Sequence, residues 1–260
     1  MKIFSIPVLM AVVLIMTVVA PCSASQMTPY QIMKKSEDLL DQAKDSKSDM
    51  TMILINKKGN KRVRELISYG KNLDNGIKKT LLIFKAPADV KGTSFLSWSF
   101  PGREDKQWLY LPALARVRQI SSASKGESFM GTEFSYYDMG RHHLDDYTYK
   151  LLREEKVGEQ MCYVIEANPK EKKYYSKVIS WIRKDNFIPA RMDFYDKSGR
   201  LLKRNMIKKI ENIDGINTPM YMEMHNVQTE RTTIIKLANV HYNIGLPERF
   251  FTERYMKRGR

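Results

Sequence analysis

The chain has 260 residues and a formal net charge of +15, from 44 lysines and arginines against 29 aspartates and glutamates. This length is sufficient for one large or two small domains with a sizeable core, and the apolar runs after residue 25 are too short to be transmembrane helices. The basic charge favours three classes of partner: nucleic acid, an anionic membrane surface and acidic proteins.

The first 24 residues are typical of a cleavable signal peptide. Lys2 gives a positive start, residues 8–20 form an apolar run, and the small residues Cys22–Ala24 follow it. A bilayer span needs about 20 apolar residues, which argues against a retained anchor. Lipidation of Cys22 is the alternative, but Pro21 before it is unfavourable for a lipoprotein signal. We therefore predict cleavage near Ala24 and a periplasmic protein, which argues against nucleic acid as a partner.

A helix should open the mature chain. Thr28 can cap it, Pro29 suits the first helical position, and Gln31 completes a capping box. Apolar residues then recur at helical spacing, which predicts that one side of the helix lies on an apolar surface. These residues are Ile32, Leu39, Leu40 and Ala43.

From residue 49 the spacing of apolar residues changes to the period of two that is typical of β-strands. Strand-like runs follow to residue 120 and again from residue 147 to residue 242, among them Lys177–Arg183, Pro189–Tyr195 and Thr232–Tyr242. Turn sequences such as Asn75-Gly76 separate them, and no gap is long enough for a crossover helix. We predict a mainly β (α+β) fold of roughly eleven antiparallel strands in one sheet that curls on itself, with a helical turn within 247–256.

The strand pattern is interrupted in the middle of the chain. Residues 121–141 are rich in serine, glycine and aromatic residues. This composition predicts a long loop that runs into a short helical turn.

The sequence carries no common catalytic or cofactor-binding motif. The sequence has no nucleophile elbow, zinc-protease motif, phosphate loop or dinucleotide fingerprint. His142 and His143 are adjacent, face different ways on an extended chain and have no ligand-spaced partners, so we interpret them as solvated. Cys162 lies in an apolar run and is interpreted as a small buried hydrophobe. We predict no enzymatic activity, no cofactor and no metal; a catalytic dyad assembled from distant strands is the alternative.

Apolar side chains on the strands are the candidate binding residues. In a closed barrel they would fill the core, whereas in an open barrel they would line a cavity for acyl chains, and methionine adapts well to such ligands. The candidate lipid-binding residues are Met50, Met52, Leu54, Phe84, Phe95, Trp98, Trp108, Tyr110, Trp181, Met220, Met222 and Met224. The candidate lid residues are Ile32, Leu39 and Leu40 of the helix, and Phe129, Met130 and Phe134 of the central loop.

Several runs resemble the outer-membrane lipoprotein-sorting protein family. They are Phe84–Thr93, Trp108–Ala113, Arg116–Arg118, Ser128–Phe134 and Leu246–Thr252. The resemblance implies a single domain over residues 25–260 with the half-open antiparallel barrel of the LolA/LolB carriers, its mouth covered by the helix and the central loop. It also implies a lipid or acylated lipoprotein as cargo, with an inner-membrane transporter of the RND/MMPL type and an outer-membrane acceptor as partners.

Two alternatives to a carrier remain open at this point. The first is a non-catalytic docking module with a closed core, which would bind an anionic membrane surface or a transporter subunit. The second is a hydrolase that acts on lipids, which would require catalytic side chains gathered at a cavity mouth.

Overall fold

The computed structural model describes residues 27–171 and 173–258, so the predicted signal peptide and Cys22 lie outside the described residues. Helix α1 spans Pro29–Leu40. The Thr28 hydroxyl oxygen accepts a hydrogen bond from the Gln31 N–H at 3.2 Å, and Gln31 Oε1 accepts one from the Thr28 N–H at 2.8 Å. The predicted capping box is therefore confirmed.

Thirteen strands follow, rather than about eleven. They are β1 Asp45–Ile55, β2 Lys61–Asn72, β3 Lys78–Ala86, β4 Ser94–Phe100, β5 Arg103–Leu111, β6 Arg116–Gln119, β7 Tyr147–Val157, β8 Gln160–Pro169, β9 Lys177–Arg183, β10 Pro189–Tyr195, β11 Leu201–Ile213, β12 Ile216–Asn226 and β13 Arg231–Tyr242. A 3-10 turn over Glu248–Phe251 and helix α2 over Glu253–Arg258 end the described chain, which confirms the predicted C-terminal helical turn.

All thirteen strands form one antiparallel sheet with the order β6-β5-β4-β3-β2-β1-β13-β12-β11-β10-β9-β8-β7. The first and last strands pair at its centre, while β6 and β7 are its two free edges. The segment that joins these edges, residues 120–146, contains three short 3-10 turns and one isolated bridge between Ser128 and Ser135. We call this segment the plug.

One apolar cluster on one face of the sheet contains side chains from β3–β5 and from β10–β12. These strands are far apart in the strand order, so the sheet must curve to bring them together. We call this face concave and the opposite face convex. Alternation along each strand sends neighbours to opposite faces, as with Leu82 and Phe84 on the concave side and Leu81 and Ile83 on the convex side. Both faces of β3 are consequently buried over Leu81–Phe84, a run of four apolar residues.

The C-terminal segment, residues 246–258, covers the convex face of β2–β5. Leu246, Phe251 and Met256 are buried against these strands. Trp98 Nε1 donates a hydrogen bond to the Phe251 carbonyl at 3.0 Å, and Ser94 Oγ donates one to the Met256 carbonyl at 3.1 Å. This segment therefore closes a second core on the outside of the sheet.

Two elements cover the concave face. Helix α1 lies over its β7–β9 end, where Ile32 packs against Ile165 and Ile182. The plug lies over the remainder, where Phe129 is the most deeply buried of its side chains. No helix within residues 27–171 and 173–258 is both long and apolar enough to cross a membrane.

Candidate functional site

The concave face gathers most of the predicted lipid-binding residues. Their side chains belong to one apolar cluster, in which Met52, Phe84, Phe95 and Met224 are at most 1% exposed. The cluster includes Met50, Met52, Leu54, Phe84, Phe95, Met222 and Met224. Met220 lies half-buried on β12, two residues before Met222.

Four of the predicted lining residues lie on the convex face, so their assignment to the same cavity is wrong. Trp98, Trp108 and Tyr110 pack against the C-terminal segment. Trp181 belongs to a separate convex cluster that includes Cys162. Alternation identifies two sets of side chains on a strand but not which set faces inward, and here both faces are covered. Cys162 itself is fully buried, as predicted, and burial raises the pKa of its thiol.

The predicted lid residues behave differently in the two covering elements. Phe129 and Phe134 of the plug are buried in the concave cluster, and Met130 packs on its edge. In α1, Ile32 is fully buried and Leu39 is half-buried, but Leu40 is 46% exposed. Leu40 is therefore wrong as a lid contact, because it ends the helix and the buried side of α1 is formed by Ile32 and Ser36.

The plug fills the concave face with aromatic side chains. The Phe129 ring lies edge-on to Phe95 at 5.0 Å and to Tyr136 at 5.7 Å between ring centroids, and tilted to Phe84 at 6.2 Å. Phe129, Phe134 and Tyr136 are all at most 9% exposed. Burial of each contributes about 1.5–3 kcal/mol relative to water. The apolar cavity expected for an open barrel is thus occupied by the chain itself.

Polar contacts fix the same segment to the sheet. Arg64 on β2 donates a hydrogen bond to the Met130 carbonyl. Thr233 on β13 accepts one at its Oγ1 from the Glu133 N–H at 2.9 Å. Lys203 on β11 donates to the Glu133 carbonyl at 2.9 Å. Strands from both halves of the sheet therefore hold the middle of the plug.

A buried ion pair also holds the plug to β11. Lys203 Nζ lies 2.5 Å from Asp138 Oδ2, and the two side chains are 4% and 7% exposed. Asp138 also accepts hydrogen bonds from the Ser135 N–H and from the Tyr175 hydroxyl, at 2.6 and 2.7 Å. Burial alone would raise the pKa of Asp138, but the Lys203 charge and these hydrogen bonds outweigh it and lower the pKa below its ordinary value.

A second ion pair ties the plug to α1. Arg141 donates hydrogen bonds through Nε and Nη2 to Glu37 Oε1, at 2.9 and 2.7 Å. Lys78 on β3 lies 3.5 Å from the same Glu37 oxygen. The two elements that cover the concave face are therefore connected to each other as well as to the sheet.

Two cavities flank the plug. The larger, about 310 Å³, lies between the β1–β2 hairpin, the start of β13 and plug residues 131–133. The smaller, about 200 Å³, lies between plug residues 126–135, β11 and the Tyr174–Tyr175 pair. Both are at or below the lower limit of typical ligand sites, which have volumes of about 300–1,000 Å³. Within the described residues, no group of three or more histidine, cysteine, aspartate or glutamate side chains is arranged to hold a metal.

Sequence reasoning missed the charged residues that anchor the plug. Arg64, Asp138 and Lys203 did not belong to any motif, because their roles depend on contacts between residues 65 or more positions apart. One signal was present: Lys203 occupies an inward position on β11, in register with Asn226. A lysine at such a position requires a buried counter-charge.

Comparison with known proteins gives consistent matches over the described domain. A protein-family model described as "uncharacterized protein" matches residues 76–258. The crystal structure of a DUF1329 family protein from Desulfovibrio piger is 34% identical with a TM-score of 0.84, and covers 88% of this chain and 97% of its own. That of a putative outer membrane lipoprotein-sorting protein domain from Vibrio parahaemolyticus is 33% identical with a TM-score of 0.84, and covers 88% and 98%.

A more distant structure extends the likeness in fold. The LolA superfamily protein NE2245 from Nitrosomonas europaea has a TM-score of 0.70 at 21% identity, and covers 88% of this chain and 100% of its own. At this identity the likeness concerns the fold alone. No curated protein matches the chain significantly.

Proposed function

The chain belongs to the DUF1329 family of outer-membrane lipoprotein-sorting proteins, and from this membership we propose that it is a non-enzymatic periplasmic carrier of lipid or of lipid-modified protein. The acyl chains would lie on the concave face in place of the plug. Its cargo would pass from an inner-membrane transporter of the RND/MMPL type to an outer-membrane acceptor. The single observation that carries the proposal is that an irregular segment, rather than a strand or a long helix, fills the apolar concave face.

A plug that an acyl chain can displace would allow cargo to bind reversibly. An acyl chain of about sixteen carbons gains about 12 kcal/mol when it leaves water, at about 0.8 kcal/mol per CH₂. Displacement of Phe129, Phe134 and Tyr136 would cost about 1.5–3 kcal/mol each, in addition to the broken polar contacts. These opposing quantities are comparable in size. A carrier whose empty state is filled by its own side chains can therefore release cargo to a competing apolar acceptor.

Methionines give the concave face the adaptability that mixed acyl chains demand. Met50 and Met52 lie on β1, Met222 and Met224 lie on β12, and these two strands flank β13; all four side chains pack in the same cluster. Plug residues Met130 and Met139 contact this cluster from above. Unbranched thioether side chains can repack when the plug leaves and a chain of different shape enters.

A second candidate function is the non-catalytic docking module. It is favoured by the same filled concave face, because a packed core leaves no space for cargo while the plug stays in place. Under this reading the net positive charge would bind an anionic membrane or an acidic transporter subunit. The two functions differ in whether the plug can be displaced by an acyl chain.

The test is native mass spectrometry of the mature protein from the periplasm, with organic extraction of bound molecules, followed by titration of the stripped protein with a fluorescent fatty acid. Met222→Gln places an amide on the concave face, and Met206→Gln on the adjacent strand places the same amide on the convex face. Burial of an unpaired amide against an acyl chain costs about 1–3 kcal/mol. We therefore expect Met222→Gln to weaken binding about five- to hundredfold and Met206→Gln to leave it unchanged.

Absence of co-purified lipid together with no binding of the fatty acid would overturn the carrier in favour of the docking module. Equal effects of the two glutamine variants would refute the concave face as the site. Thermal melting of both variants, compared with the parent protein, checks that each one is folded.

A further inference from the structure

The larger cavity combines cationic walls with an apolar floor. Lys61 and Arg62 of the β1–β2 hairpin and Arg231 of β13 line it. Leu54, which packs on the concave cluster, forms part of the same wall. The cavity therefore joins the solvent-exposed end of the hairpin to the apolar face below the plug.

The cations of this cavity form no ion pairs among the described residues, although the Glu133 carboxylate lies in the same wall. Among the described residues, no carboxylate lies within 4.0 Å of the charged nitrogens of Lys61, Arg62 or Arg231, whereas neighbouring Lys57 pairs with Glu230 at 3.1 Å. Arginine binds phosphate oxygens in a planar, bidentate geometry that it does not offer to neutral groups. Arg62 lies opposite Leu54 in the β1–β2 ladder, and Arg231 lies two residues before Thr233, the partner of Leu54 in the β1–β13 ladder. These two unpaired cations on one face of a space of about 310 Å³ form a site for a small anion rather than for a flat protein surface.

We propose that this cavity binds the phosphate headgroup of a glycerophospholipid whose acyl chains lie on the concave face. The inference rests on the carrier function proposed above and specifies its cargo. The diacylglyceryl group of an acylated protein carries no phosphate, so the cationic walls would serve no purpose for it. A phospholipid satisfies both the cations at the rim and the apolar floor.

Glu133 connects headgroup binding to the plug. It lies in the wall of the cavity, where its carboxylate accepts a hydrogen bond from Asn226 Nδ2 at 2.9 Å. Its backbone N–H donates to Thr233 Oγ1, and its carbonyl accepts from Lys203. A phosphate that enters the cavity repels this carboxylate and pushes the plug away from the sheet. The headgroup thus loosens the cover that blocks the place for its own acyl chains.

The test uses the mature protein and three soluble probes: dihexanoyl phosphatidylglycerol, dihexanoylglycerol without the phosphate, and inorganic phosphate. Binding is measured by calorimetry at low ionic strength. The double variant Arg62→Gln/Arg231→Gln removes two cations from the cavity. The matched control is Arg254→Gln/Lys257→Gln, which removes the same charge from exposed residues of α2. Helix α2 lies on the convex face of the sheet, away from the cavity.

We expect the cavity variant to bind the phospholipid at least about tenfold more weakly, since each lost charge-assisted hydrogen bond weakens binding by about that factor or more. Binding of the neutral lipid should be unchanged, and the α2 variant should match the parent protein. Glu133→Gln should bind the phospholipid about two- to fivefold more weakly, because the headgroup then no longer repels the plug from the place of the acyl chains.

Equal binding of the phospholipid and the neutral lipid, unaffected by the cavity variant, would overturn the headgroup site while leaving the carrier function intact. Absence of binding of either lipid would overturn the carrier function itself, and the headgroup site with it. Inorganic phosphate that binds as tightly as the phospholipid would replace the proposal with a free-anion site.

Discussion

Replacement of Asp138 by asparagine would leave the Lys203 ammonium buried without a counter-charge. Both side chains are less than 10% exposed, and the carboxylate accepts hydrogen bonds from Lys203, Tyr175 and Ser135 at once. An asparagine has a single acceptor oxygen and would direct an N–H group at one of these donors. Loss of one partner of a buried ion pair costs about 3–5 kcal/mol. We expect a loss of this size for Asp138→Asn.

The assay is equilibrium urea unfolding, combined with hydrogen exchange of the amides in residues 127–140. If the plug detaches from the sheet by itself, hydrogen exchange in these residues of Asp138→Asn should accelerate at urea concentrations at which the sheet is still folded. Addition of Lys203→Met to Asp138→Asn removes the orphaned charge and should restore most of the lost stability. Asp38→Asn is the control: its pair with Lys34 is exposed, and its loss should leave the stability almost unchanged. Equal costs for Asp138→Asn and Asp38→Asn, or no recovery in the double variant, would refute the reasoning.

Three further results are expected. Phe129→Ala should destabilise the protein by about 3–5 kcal/mol in urea unfolding because the ring is fully buried, whereas Leu40→Ala, at a 46% exposed position, should have almost no effect. The lowered pKa of Asp138 means that its contribution to stability is present above the unfolded pKa of about 3.9 and is lost as the pH falls through the folded pKa. The urea concentration at the unfolding midpoint, measured from pH 6 to pH 3, should therefore decrease once the pH is below about 4, and it should decrease less in Asp138→Asn. Trp98→Phe should cost about 1 kcal/mol through the lost hydrogen bond to the Phe251 carbonyl, and should accelerate exchange in the C-terminal segment but not in the plug.

Local patterns in the sequence were sufficient to predict most of the helices and strands of the fold. The capping box at Thr28 begins α1 as predicted, and the predicted strands Lys177–Arg183 and Pro189–Tyr195 coincide with β9 and β10. Alternation and turn residues act over a few positions, so they can be read without knowledge of the tertiary structure. The count of strands was too low, since the sheet has thirteen strands rather than about eleven.

The composition of the site could be predicted only in part. Phe95 and Trp98 are three positions apart on β4, so alternation places them on opposite faces, and both pack in apolar clusters because the C-terminal segment covers the outside of the sheet. Nothing within the strand distinguishes these two environments. A lysine on an apolar strand signals a buried partner, but Asp138 could not be identified as that partner, since the contact depends on how the two halves of the sheet curve together.

The position of the β1–β13 ladder has a consequence for how the chain folds. Every other neighbouring pair in the sheet joins strands that are consecutive in the chain, so each forms a hairpin or a short local connection. The central ladder instead joins residues such as Met52 and Ile235, roughly 180 positions apart, and closure of a loop of that length costs about 4–5 kcal/mol of chain entropy. We therefore expect two meanders to form early and independently, and their union along β1 and β13 to limit the folding rate. Substitutions in the outer hairpins, which form before this step, and substitutions in the ladder itself should therefore both slow refolding.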